Sequence, residues 1–203
     1  MARRSDHSRE ELYAMALDAA GRIIEQDGPD GLTARKVAGA IGYAPGTLFN
    51  LFRNQDEMIL HLNGRTLDHL CRHLETGRMS GDAEGGVKTL LKAYMGFLER
   101  HPGSWNLLFE FSLPDGTELP DWYSEKVEKL LGLLEAAMAP LFGPDQAPDG
   151  AQAARVLWAG LHGICSLASS GKLMAVTDKS VAEMAGSLVR HCLAGLRAFK
   201  GKN

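Results

Sequence analysis

The sequence predicts an all-α protein, because three features agree. Apolar residues recur at helical spacing, as in Leu12, Met15, Ala16, Ala19 and Ile23 near the start of the chain. Clusters of glycine and proline separate one periodic segment from the next. The chain also contains no strand-length alternation of apolar and polar residues, and no repeat of fixed period.

Four helices are predicted before residue 77. The first begins with a capping box of Ser8 and Glu11 and ends at the Gly28–Gly31 turn. Each of the next three has its own start signal: Thr33 as the cap of a helix to about Ile41, Pro45 as the first residue of the following helix, and Asn54 with Glu57 as the cap of a longer helix to about Thr76.

Five further helices follow a polar, glycine-rich break at Met79–Gly86. We predict them near residues 84–100, 102–112, 120–141, 150–171 and 178–199. The stretch 113–120 between two of them is a loop by its turn chemistry.

Charge is unevenly distributed along the chain. The 22 basic and 25 acidic residues give a net charge of −3, which argues against binding nucleic acid by overall charge. Residues 31–55, however, contain no acidic side chain. Two groups of basic residues make this end positive: Arg35, Lys36 and Arg53 within the segment, and Arg3, Arg4 and Arg9 before it. A cationic end on an acidic chain suits contact with a polyanion through that end alone.

Composition also predicts the compartment. The longest uncharged runs have 16 residues, fewer than the ~20 that span a bilayer. The basic N-terminus has no apolar stretch behind it, so we expect no secretion signal. Three cysteines without a CxxC motif indicate neither a disulfide framework nor a zinc ribbon. We therefore expect a reduced, cytoplasmic protein that does not associate with membranes.

Residues 32–58 carry the most specific pattern. Ala38 permits close helix approach, and Gly42 permits the positive φ of a tight turn between two helices. Four apolar residues are spaced to fill the wedge between those helices: Val37, Ile41, Leu48 and Leu51. The second helix then presents small and polar residues without carboxylates, which suits entry into the DNA major groove. An ordinary helical hairpin in an all-α core is the alternative.

The segment resembles the helix-turn-helix of TetR/AcrR-family bacterial transcriptional regulators. The matching residues are Leu32-Thr33, Val37-Ala38, Gly42, Gly46-Thr47-Leu48, Phe52 and Met58. The resemblance implies an N-terminal three-helix DNA-binding domain, residues 1–55, and a C-terminal helical domain for effector binding and dimerisation, residues 56–203. The stretch from Trp158 to Gly163 also resembles the Trp–His–Gly stretch of one C-terminal subgroup.

By position, the resemblance implies DNA contacts from Thr33, Arg35, Lys36, Tyr43, Pro45, Gly46, Thr47, Phe49, Asn50 and Gln55. Three departures from the family pattern bear on them. Phe49 stands where a tyrosine hydroxyl usually reaches a phosphate, and Gln55 replaces a common phosphate-binding lysine. Ala44 replaces the usual serine cap of the recognition helix, and losing a cap costs about 1 kcal/mol.

A stripe of Trp158, His162, Cys165 and Ser169 lies on one face of a predicted helix. Plain core packing would produce this pattern too. His162 and the indole N–H are nonetheless polar groups on an apolar stripe, as in ligand pockets, and the resemblance implies an effector cavity in this domain. We predict its ligand-binding residues to be Trp105, Phe109, Trp122, Trp158, His162 and Cys165.

Two other kinds of site compete with this assignment. His69 and His73, one turn apart, could bind a metal, although nothing nearby on that face completes a ligand set. Cys165 with His162, or Cys192 with His191, could suggest a nucleophile and base. However, Cys192 and His191 are adjacent on a helix and point about 100° apart, and the Cys165–His162 pair has no orienting acid. We therefore predict no metal, no cofactor and no catalytic activity.

The sequence thus predicts a ligand-responsive DNA-binding regulator, more specifically a repressor that binds a palindromic operator as a homodimer and is released by a small, largely apolar effector. The resemblance implies that the last two helices form the dimer interface. A helical adaptor or sensor with weak or no DNA binding is the alternative.

Overall fold

The computed structural model describes residues 7–76, 82–114, 116–143 and 146–200, and every regular element in these ranges is helical, as predicted. The helices are α1 (Arg9–Asp27), α2 (Ala34–Ala40), α3 (Pro45–Phe49), α4 (Gln55–Glu75), α5 (Ala83–Arg100), α6 (Pro102–Glu110), α7 (Asp121–Met138), α8 (Ala147–Ser169) and α9 (Val181–Lys200). None of the described helices is both long and apolar enough to cross a membrane. Arg3, Arg4 and residues 79–81 of the predicted break lie outside the described ranges.

The N-terminal caps are confirmed. The Ser8 hydroxyl accepts the Glu11 backbone N–H at 3.1 Å, and the Glu11 carboxylate accepts the Ser8 backbone N–H at 2.6 Å. These bonds stabilise the carboxylate and lower the pKa of Glu11. Thr33 caps α2, and Asn54 accepts the Glu57 N–H at the start of α4. As the departure at Ala44 implied, α3 begins at Pro45 without a side-chain cap.

Helix boundaries in the C-terminal half differ from the prediction for identifiable reasons. α7 ends at Met138 rather than near 141, because Pro140 follows and the chain tightens into a 3₁₀ turn over Ala139–Leu141. α9 begins at Val181 rather than near 178, because Ser180 and Glu183 form a capping box.

Contacts divide the chain into two compact units. The first unit comprises Met1–Thr66 and His101–Leu119, and the second comprises Leu67–Arg100 and Pro120–Asn203. The first unit therefore extends past the predicted boundary at residue 55 and takes in α6. The functional assignment of residues 1–55 and 56–203 stays a prediction.

The first unit has its own apolar core. Buried residues from its helices form one cluster, which includes Ala16, Leu17, Ile24, Val37, Leu48, Phe52, Met58 and Leu107. Leu107 belongs to α6, so this helix completes the core that α1 and α2 begin. Asn63 of α4 supports the same arrangement: its buried side-chain amide donates to the Leu107 carbonyl oxygen at 3.4 Å.

α6 approaches α1 closely. Gly103 lies directly against the Ile24 carbonyl group, and a Cβ atom at position 103 would fall well inside van der Waals distance of it. The Glu25 carboxylate accepts the backbone N–H groups of Gly103 and Ser104, at 3.2 and 3.0 Å. A carboxylate at a helix N-terminus satisfies free N–H groups and complements the helix dipole.

The second unit consists of the remainder of α4 with α5, α7, α8 and α9. α8 packs on α7 and α9, and α5 packs on the same two helices. Its most buried side chains include Leu70, Val87, Phe97, Met138, Leu157 and Val189. Arg155 of α8 binds Glu128 and Glu135 of α7 through two ion pairs of 2.7 and 2.6 Å.

We expect Gly103→Ala to lower the free energy of unfolding by about 1–3 kcal/mol, because the backbone of Ile24 cannot rotate away from the added methyl group. Urea denaturation followed by circular dichroism measures this change. Gly39→Ala is the matched control: it lies inside α2 of the same unit, and beyond its own helix backbone no atom lies within 4 Å of the position that its added methyl group would take. Its stability should be unchanged or rise by up to about 1 kcal/mol. Equal loss in both variants would contradict the close approach of α6.

Candidate nucleic-acid interface and ligand cavity

The turn between α2 and α3 has the geometry that its sequence predicts. Gly42 adopts a φ of +78°, which a residue with a side chain rarely adopts. The Tyr43 N–H then donates to the Ala38 carbonyl oxygen at 2.9 Å, closing the turn. Val37, Ala38 and Leu48 are buried between the two helices, and α3 is thereby held against α2.

The outward face of α3 is uncharged. Pro45, Gly46, Phe49 and Asn50 are exposed, whereas Thr47 is half-buried. The Phe49 side chain is unusual among them, because 56% of its surface is exposed although it is aromatic and apolar. A helix that exposes no carboxylate does not repel phosphate, so this face can approach nucleic acid.

The first residues of the described chain contact both ends of α3. His7 Nδ1 lies 2.8 Å from the Tyr43 hydroxyl, with the two rings edge to face. Arg9 donates from Nη2 to the Asn50 carbonyl oxygen at 3.4 Å. The start of α1 is therefore tied to the turn before α3 and to the residue after it, which sequence spacing could not indicate.

The predicted phosphate-binding side chains have different surroundings. Arg35 is exposed and forms no ion pair with the described residues. Lys36 Nζ pairs with Asp27 Oδ2 at 2.8 Å, and both side chains are about half exposed. Arg53 forms a loose ion pair with Glu57, in which Arg53 Nε lies 3.8 Å from Glu57 Oε1. Gln55 donates from Nε2 to the Leu32 carbonyl oxygen at 3.1 Å, and the Thr33 hydroxyl caps α2.

The second unit contains an apolar cavity. The centre of a water-sized molecule can occupy about 40 Å³ of it, within an indentation of about 450 Å³ that is continuous with solvent. Ten residues from α4, α5, α7 and α8 line it: Leu74, Val87, Leu90, Leu91, Tyr94, Leu130, Leu133, Leu134, Trp158 and Leu161. No charged side chain is among them, and the polar atoms of these side chains are the Tyr94 hydroxyl and the Trp158 indole N–H.

The structure brings together some of the predicted ligand-binding residues and separates others. Trp158 lines the cavity, and His162 stacks on it with ring centroids 5.2 Å apart and planes 16° apart. Trp122 contacts Tyr123 on α7. Trp105 and Phe109 lie on α6 in the first unit, where their rings are 4.2 Å apart.

Leucines at helical spacing indicate a packed core as readily as a cavity wall, so the sequence does not single out the leucines of this lining. Tyr94 lies on the apolar, periodic face of α5 with Val87, Leu90 and Phe97, and that periodicity is the signal in the sequence that points to it.

Burial determines the ionisation of the polar groups near this cavity. Desolvation raises the pKa of the buried Cys165 thiol to about 11, so the thiol stays protonated at neutral pH and cannot serve as a thiolate nucleophile. It also lowers the pKa of His162 and raises that of Tyr94. At neutral pH the cavity region therefore presents neutral groups.

The histidine pair on α4 packs against an aromatic ring. The rings of His69 and His73 lie 5.4 and 6.2 Å from that of Phe97. His73 Nε2 also lies 2.7 Å from Arg100 Nη2, which requires the imidazole to accept. Within the described part of the chain, no group of three or more His, Cys, Asp or Glu residues could hold a metal ion.

A two-helix motif with a glycine turn and an exposed, acid-free second helix is the geometry of helix-turn-helix DNA-binding proteins. Comparison with known families agrees with this class. Residues 16–62 match "Bacterial regulatory proteins, tetR family", and residues 87–192 match "Tetracyclin repressor-like, C-terminal domain". The chain therefore belongs to the TetR family of bacterial transcriptional regulators, as its helix-turn-helix segment predicted, and it is a regulator rather than an enzyme.

Solved structures share the fold. A protein of unknown function from Rhodococcus sp. RHA1 is 23% identical, with a TM-score of 0.72 over 96% of this chain and 99% of that chain. A TetR transcriptional regulator from Rhodococcus sp. RHA1 is 14% identical, with a TM-score of 0.67 over 91% and 96%. FadR from Bacillus subtilis, solved in complex with stearoyl-CoA, is 14% identical, with a TM-score of 0.65 over 90% and 98%. No curated protein matches the chain.

The stacked pair predicts a pH-dependent signal. Protonated imidazole quenches indole emission, so Trp158 fluorescence should fall as His162 gains its proton. Because burial lowers the pKa of His162, the midpoint should lie below the ordinary value of 6.5. For the same reason the neutral ring stabilises the fold above pH 6.5, and this contribution is lost as the pH falls through the lowered pKa.

Fluorescence titration of the wild type and of His162→Gln measures this transition. The difference between the two proteins removes the signals of Trp105 and Trp122 and of the other histidines. A midpoint at or above 6.5, or an unchanged titration in His162→Gln, would contradict the stacked and desolvated arrangement.

Proposed function

We propose that the chain is a homodimeric repressor that binds a palindromic operator and is released by a small, largely apolar effector. The observation that carries the DNA-binding part is the exposed, acid-free face of α3, held by the Gly42 turn. In this proposal residues 1–55 form the DNA-binding domain, and residues 56–203 bind the effector and form the dimer. A cytoplasmic location follows from the DNA-binding role.

The predicted DNA contacts divide into two groups. Thr33, Arg35, Lys36 and Gln55 would position the protein on the backbone, and the face of α3 with Tyr43 would enter the groove. The Lys36–Asp27 pair is no obstacle, because exposed ion pairs of this kind contribute only about 0–1 kcal/mol. Gln55 uses one amide N–H for Leu32 and retains a second donor for a phosphate oxygen.

Open space beside two glycines supports dimerisation through α8 and α9. A Cβ atom on Gly163 or Gly195 would meet no atom within 4 Å, so no contact within the described chain requires glycine there. Gly160 differs, because its Cβ would lie 2.7 Å from a methyl group of Leu188 on α9. Val156 shares a face with Gly163 and is 59% exposed. A partner helix could cover this face closely.

The lining of the cavity supports an apolar effector. Aliphatic side chains make up most of the wall, so a charged group would lose its hydration there without gaining a partner. A ligand with a hydrocarbon body and one or two neutral hydrogen-bonding groups fits this chemistry. FadR from Bacillus subtilis, which shares the fold, was solved with stearoyl-CoA, a ligand that contains a long hydrocarbon chain.

The switch requires two states that the effector distinguishes. A ligand shifts the equilibrium between DNA-binding and released states only through its different affinity for them. Repression rather than activation rests on family analogy. A helical adaptor or sensor with weak or no DNA binding is the competing function, and selection of DNA from a random library tests it directly.

We expect DNA enriched from a random library to contain an inverted repeat, and Gly163→Arg to abolish dimerisation. The arginine side chain would occupy the space that a partner helix needs. At nanomolar protein concentration, the affinity of the variant for the operator should fall by on the order of 10²-fold or more, because a monomer binds one half-site at a time. Analytical ultracentrifugation and fluorescence anisotropy measure the two effects.

Gly132→Arg on α7 is the matched control, since Gly132 also has open space at Cβ but lies outside the proposed interface. It should remain a dimer with normal affinity. A monomeric wild type, or enrichment of a site without two-fold symmetry, would overturn the dimeric repressor; failure to enrich any DNA would favour the adaptor.

Straight-chain alcohols from hexanol to dodecanol probe the cavity. Each buried methylene contributes about 0.8 kcal/mol, so affinity should rise about fourfold per carbon until the cavity is full. Leu133→Trp fills the cavity wall and should weaken both binding and release from DNA. Met174→Trp, at an exposed position of the same unit, should change neither. Titration calorimetry measures alcohol binding, and fluorescence anisotropy measures release from DNA. Equal binding and release in the two variants would place the effector site elsewhere.

A further inference from the structure

We propose that α3 recognises thymine through its C5-methyl group, with Phe49 as the contacting side chain, so that each half-site contains an A·T pair beneath α3. The inference rests on the proposed DNA binding and specifies what α3 recognises. The fold itself does not require an apolar aromatic ring that is exposed to water on α3.

The direction of the Phe49 side chain is fixed by its neighbours. Leu48 and Phe52 are each only 2% exposed and belong to the core of the first unit. Adjacent residues on a helix point about 100° apart, so burying Leu48 leaves Phe49 at the edge of the core, where it borders a small groove with Ala34 and Gln55 and keeps 56% of its surface exposed. The other large apolar residues exposed in the described chain are aliphatic and lie outside α3: Leu119, Val156, Met174 and Val176.

The composition of α3 limits which bases it can distinguish. From Ala44 to Asn50 there is no arginine, lysine, glutamine or carboxylate. Guanine is read most often by arginine or lysine at O6 and N7, and cytosine by a carboxylate at N4. The nearby cations Arg35 and Arg53 lie outside α3, and Arg9 is bonded to the Asn50 carbonyl oxygen. The helix therefore does not carry the usual groups for G·C pairs.

The groups that α3 does present match an A·T pair. A phenyl ring or the methyl group of threonine makes apolar contact with the thymine C5-methyl, and asparagine donates to N7 and accepts from N6 of adenine. Phe49 and Asn50 are both exposed, and the Asn50 side-chain amide forms no hydrogen bond with the described residues. Because adjacent residues diverge by about 100°, Phe49 and Asn50 would address A·T pairs at different positions of the half-site.

Tyr43 does not duplicate this role. Its ring is held edge to face by His7, and its hydroxyl lies 2.8 Å from His7 Nδ1. Phe49 has no hydroxyl with which to bind a phosphate. Burial of its exposed surface against an apolar group is the remaining favourable interaction.

Replacing thymine by uracil tests the proposal, because it removes the methyl group and leaves the base-pairing edge intact. Operators enriched from a random library are resynthesised with uracil at one thymine position in each half-site, and anisotropy gives the Kd at fixed salt. One position should show about a fourfold loss per methyl group, or roughly 15-fold for both half-sites. Phe49→Ala should bind the thymine and uracil operators equally.

Two variants distinguish contact with the thymine methyl group from a general loss of DNA affinity. Phe49→Tyr retains the ring and should retain the loss with uracil. Lys36→Ala should weaken both operators equally and flatten the salt dependence by about 0.9 for each phosphate that is no longer neutralised. Circular dichroism confirms that each variant is folded, as expected for exposed side chains.

The outcomes distinguish the inference from the proposed function. No uracil effect at any position, or an effect that persists in Phe49→Ala, would overturn thymine recognition while leaving DNA binding intact. Failure of the wild type to enrich any DNA would overturn both. A uracil effect that disappears in Phe49→Ala and persists in Phe49→Tyr and Lys36→Ala would establish the contact.

Discussion

The packing of Leu48 and Phe52 into the first unit is the constraint on which the DNA-binding face depends. α3 has only five residues, and an isolated helix of that length is not stable in water. It also lacks a side-chain cap. Its existence and orientation therefore come from tertiary burial against Val37, Ala38 and their neighbours, with the Gly42 turn setting the angle between the helices. Burial of Leu48 thereby determines that Phe49 and Asn50 are exposed.

The second unit leaves space unfilled among its leucines. A cavity lined by leucines gives up contacts that a filled core would make. Full burial of Phe97 and Met138, together with the two ion pairs of Arg155 between α7 and α8, supports the helices around that space. An apolar ligand would restore the missing contacts, and a ligand that binds only the folded state stabilises it. Binding of such a ligand would thus be coupled to the rigidity of this unit.

Local signals predicted the fold well, and long-range contacts account for what they missed. The Ser8–Glu11 box, the positive φ at Gly42 and the start of α3 at Pro45 each depend on residues within a few positions, so the sequence contained them. The bond between His7 and Tyr43, the pairing of Lys36 with Asp27 and the seating of Trp105 in the first unit depend on how distant helices pack. For the same reason the periodicity of α5 and α7 could not distinguish a leucine that lines a cavity from one that fills a core.

The path of the chain through α6 affects how the protein can be divided. The backbone enters the first unit a second time at His101 and leaves it at Leu119. A fragment ending at Thr66 would contain the whole helix-turn-helix, yet it would lack Leu107 from the core and would expose the apolar surface that α6 covers. Chimeras between relatives face the same difficulty. Exchanging the N-terminal segment alone would pack the α1 of another protein against Gly103 of the native α6. The first unit is therefore built from two separate stretches of chain, and a chimera must exchange Met1–Thr66 and His101–Leu119 together.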